Sequence, residues 1–350
     1  MKKTLVLICF ATVIQFATAQ SSQKPRILIY HDMEGLAGED DFRQFNFSHP
    51  EQYAKGRELL TNDVNAVVDG LFQGGAGLVH VVDAHGSGNP DPDILLDKLD
   101  SRAKMVSRDE PFRQYVDIVQ ANTYDAVVCV GMHAKTGSGG FASHTYTLGI
   151  DLILNDKSIT ETELVGYSWG RVGVPVIMVT GDDKLEGDLK VMPWIEYVRV
   201  KKATSASTVE LRPISEVHAE MKTKAVKAIK SITLASVMKI KEPIKAQLRV
   251  VPPAGLDRLK NLPGIDYKDN VATFTAENFA KAYDGLIALI GIATTHYVTV
   301  TNEVIASQPN GKELRVQIGD ALMMRWLDYE SGRWKPETPV TTPRKYYGAR

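Results

Sequence analysis

The sequence predicts an α/β fold: a layered domain with a central, largely parallel sheet and helices on both faces, followed by a smaller α+β region. Three observations carry that expectation. Between residues 24 and 200, short runs rich in Val, Ile and Leu alternate with longer stretches of helical period. Those runs lack a regular polar alternation, as in strands buried on both faces. Beyond about residue 205 the alternation gives way to amphipathic helices and isolated strands.

Before the first strand, MKKTLVLICFATVIQFATAQ has a basic start at Lys2 and Lys3, an apolar stretch from Leu5 to Phe16, and Ala17-Thr18-Ala19 as a cleavage pattern. It reads as a signal peptide over residues 1–19, with the mature chain starting near Gln20. The stretch is shorter than the roughly 20 residues of a membrane span, so a secreted or periplasmic protein is expected, with no membrane attachment after cleavage. Of the 2 cysteines, Cys9 leaves with this segment. Cys129, in AVVCVG, reads as a small buried hydrophobe, so stability must come from packing, oligomerisation or metal.

The predicted strands of the first domain, residues 24–200, run from Arg26 to Tyr30, Gly77 to Val82, Asp125 to Val130 and Val174 to Val179. A crossover helix joins the first two, with Leu60, Val64, Val67 and Leu71 on one face and Gly74-Gly75 at its end. The α+β region, residues 201–304, begins with the helix ISEVHAEMKTKAVKAIKSI, capped by Ser215. The strand QLRVVP follows, then a helix from a Thr275 cap that buries Phe279, Tyr283, Leu286, Ile287 and Ile290. In the remaining extension, 305–350, KELRVQIGDALMMRWLDYESGRW alternates like a β-hairpin turning at Glu330-Ser331-Gly332, and a Pro- and Thr-rich end reads as a loose tail.

Composition narrows the functional classes. With 24% charged residues, 44% hydrophobic residues and a net charge of -1, the chain has an ordinary globular make-up. No dense Lys/Arg stripe supplies a footprint for nucleic acid, which is not an expected partner.

Three of the four strands end in the same chemical way. The first runs into Asp32-Met33-Glu34, the second into Asp83-Ala84-His85 and the third into Gly131-Met132-His133. Residues two apart on an extended segment project to the same side, and open α/β sheets bind ligands beyond the carboxyl ends of their strands. Imidazoles and carboxylates without cysteine suit zinc, manganese or iron, and a two-metal site needs a bridging carboxylate, a role open to Asp32 or Glu34. Taken singly, each residue has a plainer reading, as a turn-forming aspartate or a structural histidine. Asp182 and Asp183 read as caps of the next helix, His31 as pointing away from its neighbours, and GSGG at 137–140 as a loop without a phosphate-binding fingerprint.

The segments DMEGLAG, VVDAHGSG, GMHAKTGSGGFASHTY and ILNDKSITETELVGY, with GVPVIMVTGDD after them, resemble the DppA-type D-aminopeptidases, a family of dinuclear zinc peptidases that release N-terminal D-amino acids from short peptides. The likeness runs from about residue 26 to 300. It implies two Zn2+ per subunit held by Asp32, Glu34, His85, His133 and Glu161, with Asp32 bridging, and it makes His144 the non-ligand catalytic histidine, as acid/base or nucleophile. Thr160-Glu161-Thr162-Glu163 departs from the family's Gly-Glu-Leu-Gly pattern, which leaves Glu163 as a rival to Glu161.

The expected function is therefore an exported metallo-aminopeptidase acting on short peptides with N-terminal D-residues of the D-Ala type. The resemblance also implies a homo-oligomeric ring, whose contacts the 305–350 extension could alter. The alternatives are an exported metal-dependent amidohydrolase or peptidase without D-specificity, and a non-catalytic binding protein on the same fold.

Overall fold

A computed structural model describes residues 23–260, 263–335 and 344–348; the expected signal peptide lies outside the described residues. In chain order the strands are β1 (Arg26–His31), β2 (Leu78–Asp83), β3 (Ala103–Met105), β4 (Ala126–Met132), β5 (Ile150–Leu154), β6 (Lys157–Ser158), β7 (Val176–Asp182), β8 (Glu196–Ser205), β9 (Thr208–Leu211), β10 (Ile244–Val250), β11 (Asp266–Lys268) and β12 (Val271–Ala276). The helices are α1 (Pro50–Gln73), α2 (Glu161–Gly170), α3 (Asp183–Asp188), α4 (Ile214–Lys230), α5 (Phe279–Thr294), α6 (Val298–Ser307) and α7 (Gly311–Glu330).

The main sheet has the order β3-β2-β1-β4-β7-β8-β9 and is parallel except for the β8/β9 edge pair. Strand alternation divides its core. Ile27 and Ile29 of β1 face α1 and α4, whereas Leu28 and Tyr30 face the opposite side, towards α2 and the second sheet. Trp169 of α2 donates its indole N–H to the Tyr30 hydroxyl at 2.9 Å, so this buried polar pair is satisfied within the apolar layer. The second sheet is antiparallel, with order β11-β12-β10-β5-β6, and α5 packs on it. Helices thus flank both faces of a largely parallel sheet, as expected.

The structure corrects several local expectations. Helix α4 does not join the smaller region: its stripe Val217, Met221 and Ala225 packs beside α1 under the main sheet, a wide face that one helix cannot cover. Conversely, β5 and β6 come from residues inside 24–200 yet build the second sheet, where Ile150, Leu152 and Leu154 alternate inward. The caps also shift. α4 starts directly after Pro213, and α5 is capped by Asn278, whose side chain accepts the Lys281 N–H at 3.1 Å.

The predicted hairpin is a helix. Residues 311–330 form α7, rich in Leu, Met, Arg, Lys, Glu and Ala, the residues that lose least on helix formation. Ser331 and Gly332 stop this helix by donating to Leu327 and Tyr329 carbonyls, instead of turning a hairpin. Part of the supposed loose tail is docked as well. Tyr346 exchanges two backbone hydrogen bonds with Arg108, and the Asp83 N–H donates to the Tyr347 carbonyl at 3.2 Å. Among the described residues no helix is long and apolar enough to cross a membrane.

Candidate metal centre

The carboxyl ends of β2, β1, β4 and β7 lie side by side, and the segments leaving three of them carry the acidic and imidazole groups. The loop after β1 folds across the end of β4: Asp32 N–H donates to the Val130 carbonyl and Gly35 N–H to the Gly131 carbonyl, both at 2.9 Å. Only glycines permit this crossing. A Cβ on Gly35 would lie 1.9 Å from the Met132 carbonyl oxygen, and one on Gly131, at φ 75°, 2.2 Å from the Asp32 carbonyl oxygen.

This crossing brings the predicted residues together. Asp32 lies 2.9 Å from His85 Nδ1 through one carboxylate oxygen and 3.4 Å from His133 Nε2 through the other. Glu34 approaches His85 Nδ1 at 3.3 Å, and Glu161 approaches His133 Nε2 at 3.5 Å. His144 Nε2 stands 4.0 Å from Glu34 and 3.9 Å from Glu161, with its ring stacked on that of His133. Three overlapping trios each place one donor atom per residue within 4.8 Å of the others: Asp32, Glu34 and His85; Asp32, His133 and Glu161; and Glu34, His133 and His144. Asp32 and Glu34 each belong to two of these trios, the position open to a bridging carboxylate.

The three imidazoles are oriented alike. His85 donates from Nε2 to the Phe45 carbonyl at 2.8 Å, His133 from Nδ1 to Ala134 at 2.9 Å and His144 from Nδ1 to Ala142 at 2.8 Å. With one nitrogen committed to a backbone carbonyl, the neutral tautomer turns the other nitrogen's lone pair into the acidic cluster. This is how metal-ligating histidines are held. Among the described residues His133 Nε2 has no hydrogen-bond partner, and it is buried between two carboxylates. A lone pair so placed calls for a cation, and the donor set fits a zinc-type metal.

A proton is the alternative cation. Burial opposes charge on His85 and His133, yet the adjacent carboxylates prevail and hold both imidazoles well above their ordinary pKa. Burial likewise opposes the Asp32 charge, but His133 and His85 bring its pKa well below the usual carboxylate value. A metal entering this cluster displaces those protons.

Glu161 opens α2, and its carboxylate accepts the Tyr146 N–H at 2.6 Å. Its rival Glu163 closes a capping box with Thr160 and pairs with Lys157 at 2.6 Å, away from the cluster. Asp83 also stands outside the trios. Its carboxylate accepts N–H groups of His85 at 3.1 Å and Asp93 at 3.0 Å, which fixes the His85 loop. Asp182 caps α3 and accepts the Phe141 N–H at 3.1 Å, steadying the loop that leads to His144.

Sequence reasoning missed three contributors. Tyr146, at φ 76°, turns its N–H onto Glu161 in a left-handed conformation that a tyrosine rarely adopts. Phe45 orients His85 through its carbonyl. Lys201, fully buried on β8, pairs with Glu39 and lies 4.4 Å from the centroid of the Phe141 ring, joining the loops that carry Glu34 and His144. Burial pushes the Glu39 carboxyl up to about 8 despite that lysine. His218 meets Asp63 at 2.7 Å, a residue 155 positions away. No local pattern announces these contacts.

A cavity of about 220 Å3 opens over the cluster between Phe45–Asn46, Gly86–Ser87 and the rim formed by Tyr146, Thr147 and Leu148.

Comparison with known proteins gives one consistent result. A family model described as D-aminopeptidase matches residues 26–288. A D-aminopeptidase of Bacillus subtilis (strain 168) is 27% identical over 269 residues, spanning 75% of this chain and 95% of that protein. The solved structure of the Zn-dependent D-aminopeptidase DppA from Bacillus subtilis, a self-compartmentalizing protease, shares the fold with a TM-score of 0.69. That likeness has 22% identity and covers 77% of this chain and 98% of the other.

Proposed function

The chain belongs to the D-aminopeptidase family, and from that premise we propose that it is an exported dinuclear zinc aminopeptidase that removes N-terminal D-residues of the D-Ala type from short peptides. The observation that carries the metal assignment is the common orientation of His85, His133 and His144, each tied to a backbone carbonyl and facing the carboxylates of Asp32, Glu34 and Glu161. In this reading Asp32, Glu34 and His85 hold one ion, and Asp32, His133 and Glu161 the other. When bound, the two zinc ions would supply Lewis acidity towards a peptide carbonyl and its attacking water.

The remaining roles follow from this chain's own side chains. His144 sits about 4 Å from both Glu34 and Glu161, too far for a hydrogen bond to either and near enough to face the same space. Its Nδ1 is fixed by Ala142, so Nε2 is the atom that gives or takes a proton at the scissile nitrogen. That position suits acid/base work better than nucleophilic attack, because the stacked His133 ring limits how far His144 can swing. Tyr146 and Phe45 hold Glu161 and His85 in place through backbone groups.

A cavity of about 220 Å3 suits a short chain of small residues, which supports D-Ala-type substrates. Export rests on the signal pattern of residues 1–19. Homo-oligomerisation rests on the self-compartmentalizing neighbour. The test is metal content together with hydrolysis of D-Ala-D-Ala against L-Ala-L-Ala. Two zinc ions per subunit and preference for the D,D-dipeptide are expected, and a protein that binds no metal or prefers the L,L-dipeptide refutes the reading.

A further inference from the structure

An apolar groove of about 470 Å3 adjoins the catalytic cavity. It is lined by Leu148, Pro253 and Tyr297 together with Val300, Val304 and Ile305 of α6. Leu148 is common to both spaces: it forms part of the cavity rim and one wall of the groove. The two are also mechanically joined, since the Tyr297 hydroxyl donates to the Leu148 carbonyl at 2.6 Å. Residues 297, 300, 301, 304 and 305 follow helical spacing, so one continuous stripe faces the groove. Leu148, Val300 and Val304 are 57%, 45% and 55% exposed, a concentration of bare apolar surface beside a polar site. The α6 wall lies beyond residues 26–288, the part matched by the family model.

We propose that this groove is the subsite for the second and third residues of the peptide substrate, and that it selects apolar side chains there. The proposal rests on the aminopeptidase reading, which places the first residue over the metal cluster. The cavity of about 220 Å3 is open at its rim, so a peptide longer than about two small residues extends across that rim. At the Leu148 edge the rim and the groove share that residue. The opposite edge, at Asn46 and Ser87, mixes those polar groups with Phe45 and the exposed Phe47, whereas the Leu148 edge leads to an aliphatic surface. Apolar side chains lying on Leu148, Val300 and Val304 remove apolar area from water on both partners, which is the source of the selectivity.

The test compares three substrates of the zinc-loaded full chain: D-Ala-Leu-Leu, D-Ala-Gly-Gly and D-alaninamide, which has nothing beyond the first residue. The wild type should favour D-Ala-Leu-Leu over D-Ala-Gly-Gly by about tenfold in kcat/KM, the scale of burying a leucine side chain. Val304→Asp, at an exposed position that tolerates charge, should abolish that preference through KM while leaving D-alaninamide turnover within about twofold. Val300→Asp should do the same. Equal kcat/KM for both tripeptides, or a leucine preference untouched by both variants, overturns the subsite while the aminopeptidase reading stands. Failure to hydrolyse any of the three overturns both. Val304→Asp could instead change the sedimentation coefficient with the substrate preference unaltered. The groove would then be covered by another copy of the chain, which also overturns the proposal.

Discussion

Replacing Gly35 with alanine tests how far the centre depends on two backbones crossing without a Cβ between them. The new Cβ would lie 1.9 Å from the Met132 carbonyl oxygen, and because ordinary contact begins at 3.4 Å, the chain at residue 35 must retreat by roughly 1.5 Å. Nothing flexible can absorb this, since the opposing atom is backbone at the end of a fully buried strand. Glu34 and Asp32 move with residue 35 and away from His133, which now stands 3.4 Å from Asp32. Two donors on one zinc ion sit no more than about 4.4 Å apart, and the displaced pair would approach about 5 Å. Gly35→Ala should therefore retain fewer than two zinc ions by elemental analysis. Its kcat/KM on D-Ala-D-Ala should fall by about 100-fold or more, the penalty of an ångström-scale misplacement. Gly187→Ala is the control, because a Cβ at that exposed position in α3 meets nothing within 4 Å and should leave both readouts unchanged. Wild-type metal content and activity in Gly35→Ala would refute the account of the crossing.

Two further substitutions separate neighbouring roles. His144→Ala should lower kcat by about 100-fold or more, the order expected for a lost general acid or base, with both zinc ions retained by elemental analysis; loss of an ion would make His144 a ligand. Glu161→Gln should lose metal. Glu163→Gln should keep it and cost roughly 1 kcal/mol in denaturant melts, the size of a weakened helix cap. The opposite pattern would restore Glu163 as the ligand.

The strand ends show why most of the centre could be read from sequence. Asp32-x-Glu34, Asp83-x-His85 and the histidine after Gly131 each sit where a buried strand meets the surface, and period-two alternation fixes which way they project. Asp83 followed the same pattern but turned to backbone N–H groups, because the next loop folds back within reach of its carboxylate. Glu161 and Glu163 are two apart at the start of one helix, so local chemistry permits either; the capping box with Thr160 takes Glu163 and leaves Glu161 facing inward. Tyr146, Phe45 and Lys201 act through a backbone N–H, a carbonyl and a buried ion pair, contacts that leave no mark on spacing or composition.

The C-terminal extension was misread for a related reason. Over 312–330 apolar residues fall all around the helix, so no single period dominates, and strand-like alternation looks as good as any other pattern. Residues 346 and 347 look like a loose end, yet the backbone of Tyr346 and Tyr347 pairs with Arg108 and Asp83. The sequence by itself determined the α/β layering, the four parallel strands and the acidic and imidazole residues at three of their ends, because strand burial and side-chain alternation are local properties. Tertiary structure alone decided which sheet β5 joins, which helix covers which face, and which carboxylates share each imidazole. Those choices depend on contacts between residues far apart in the chain, where geometry and exclusion of water, rather than residue type, select the partner.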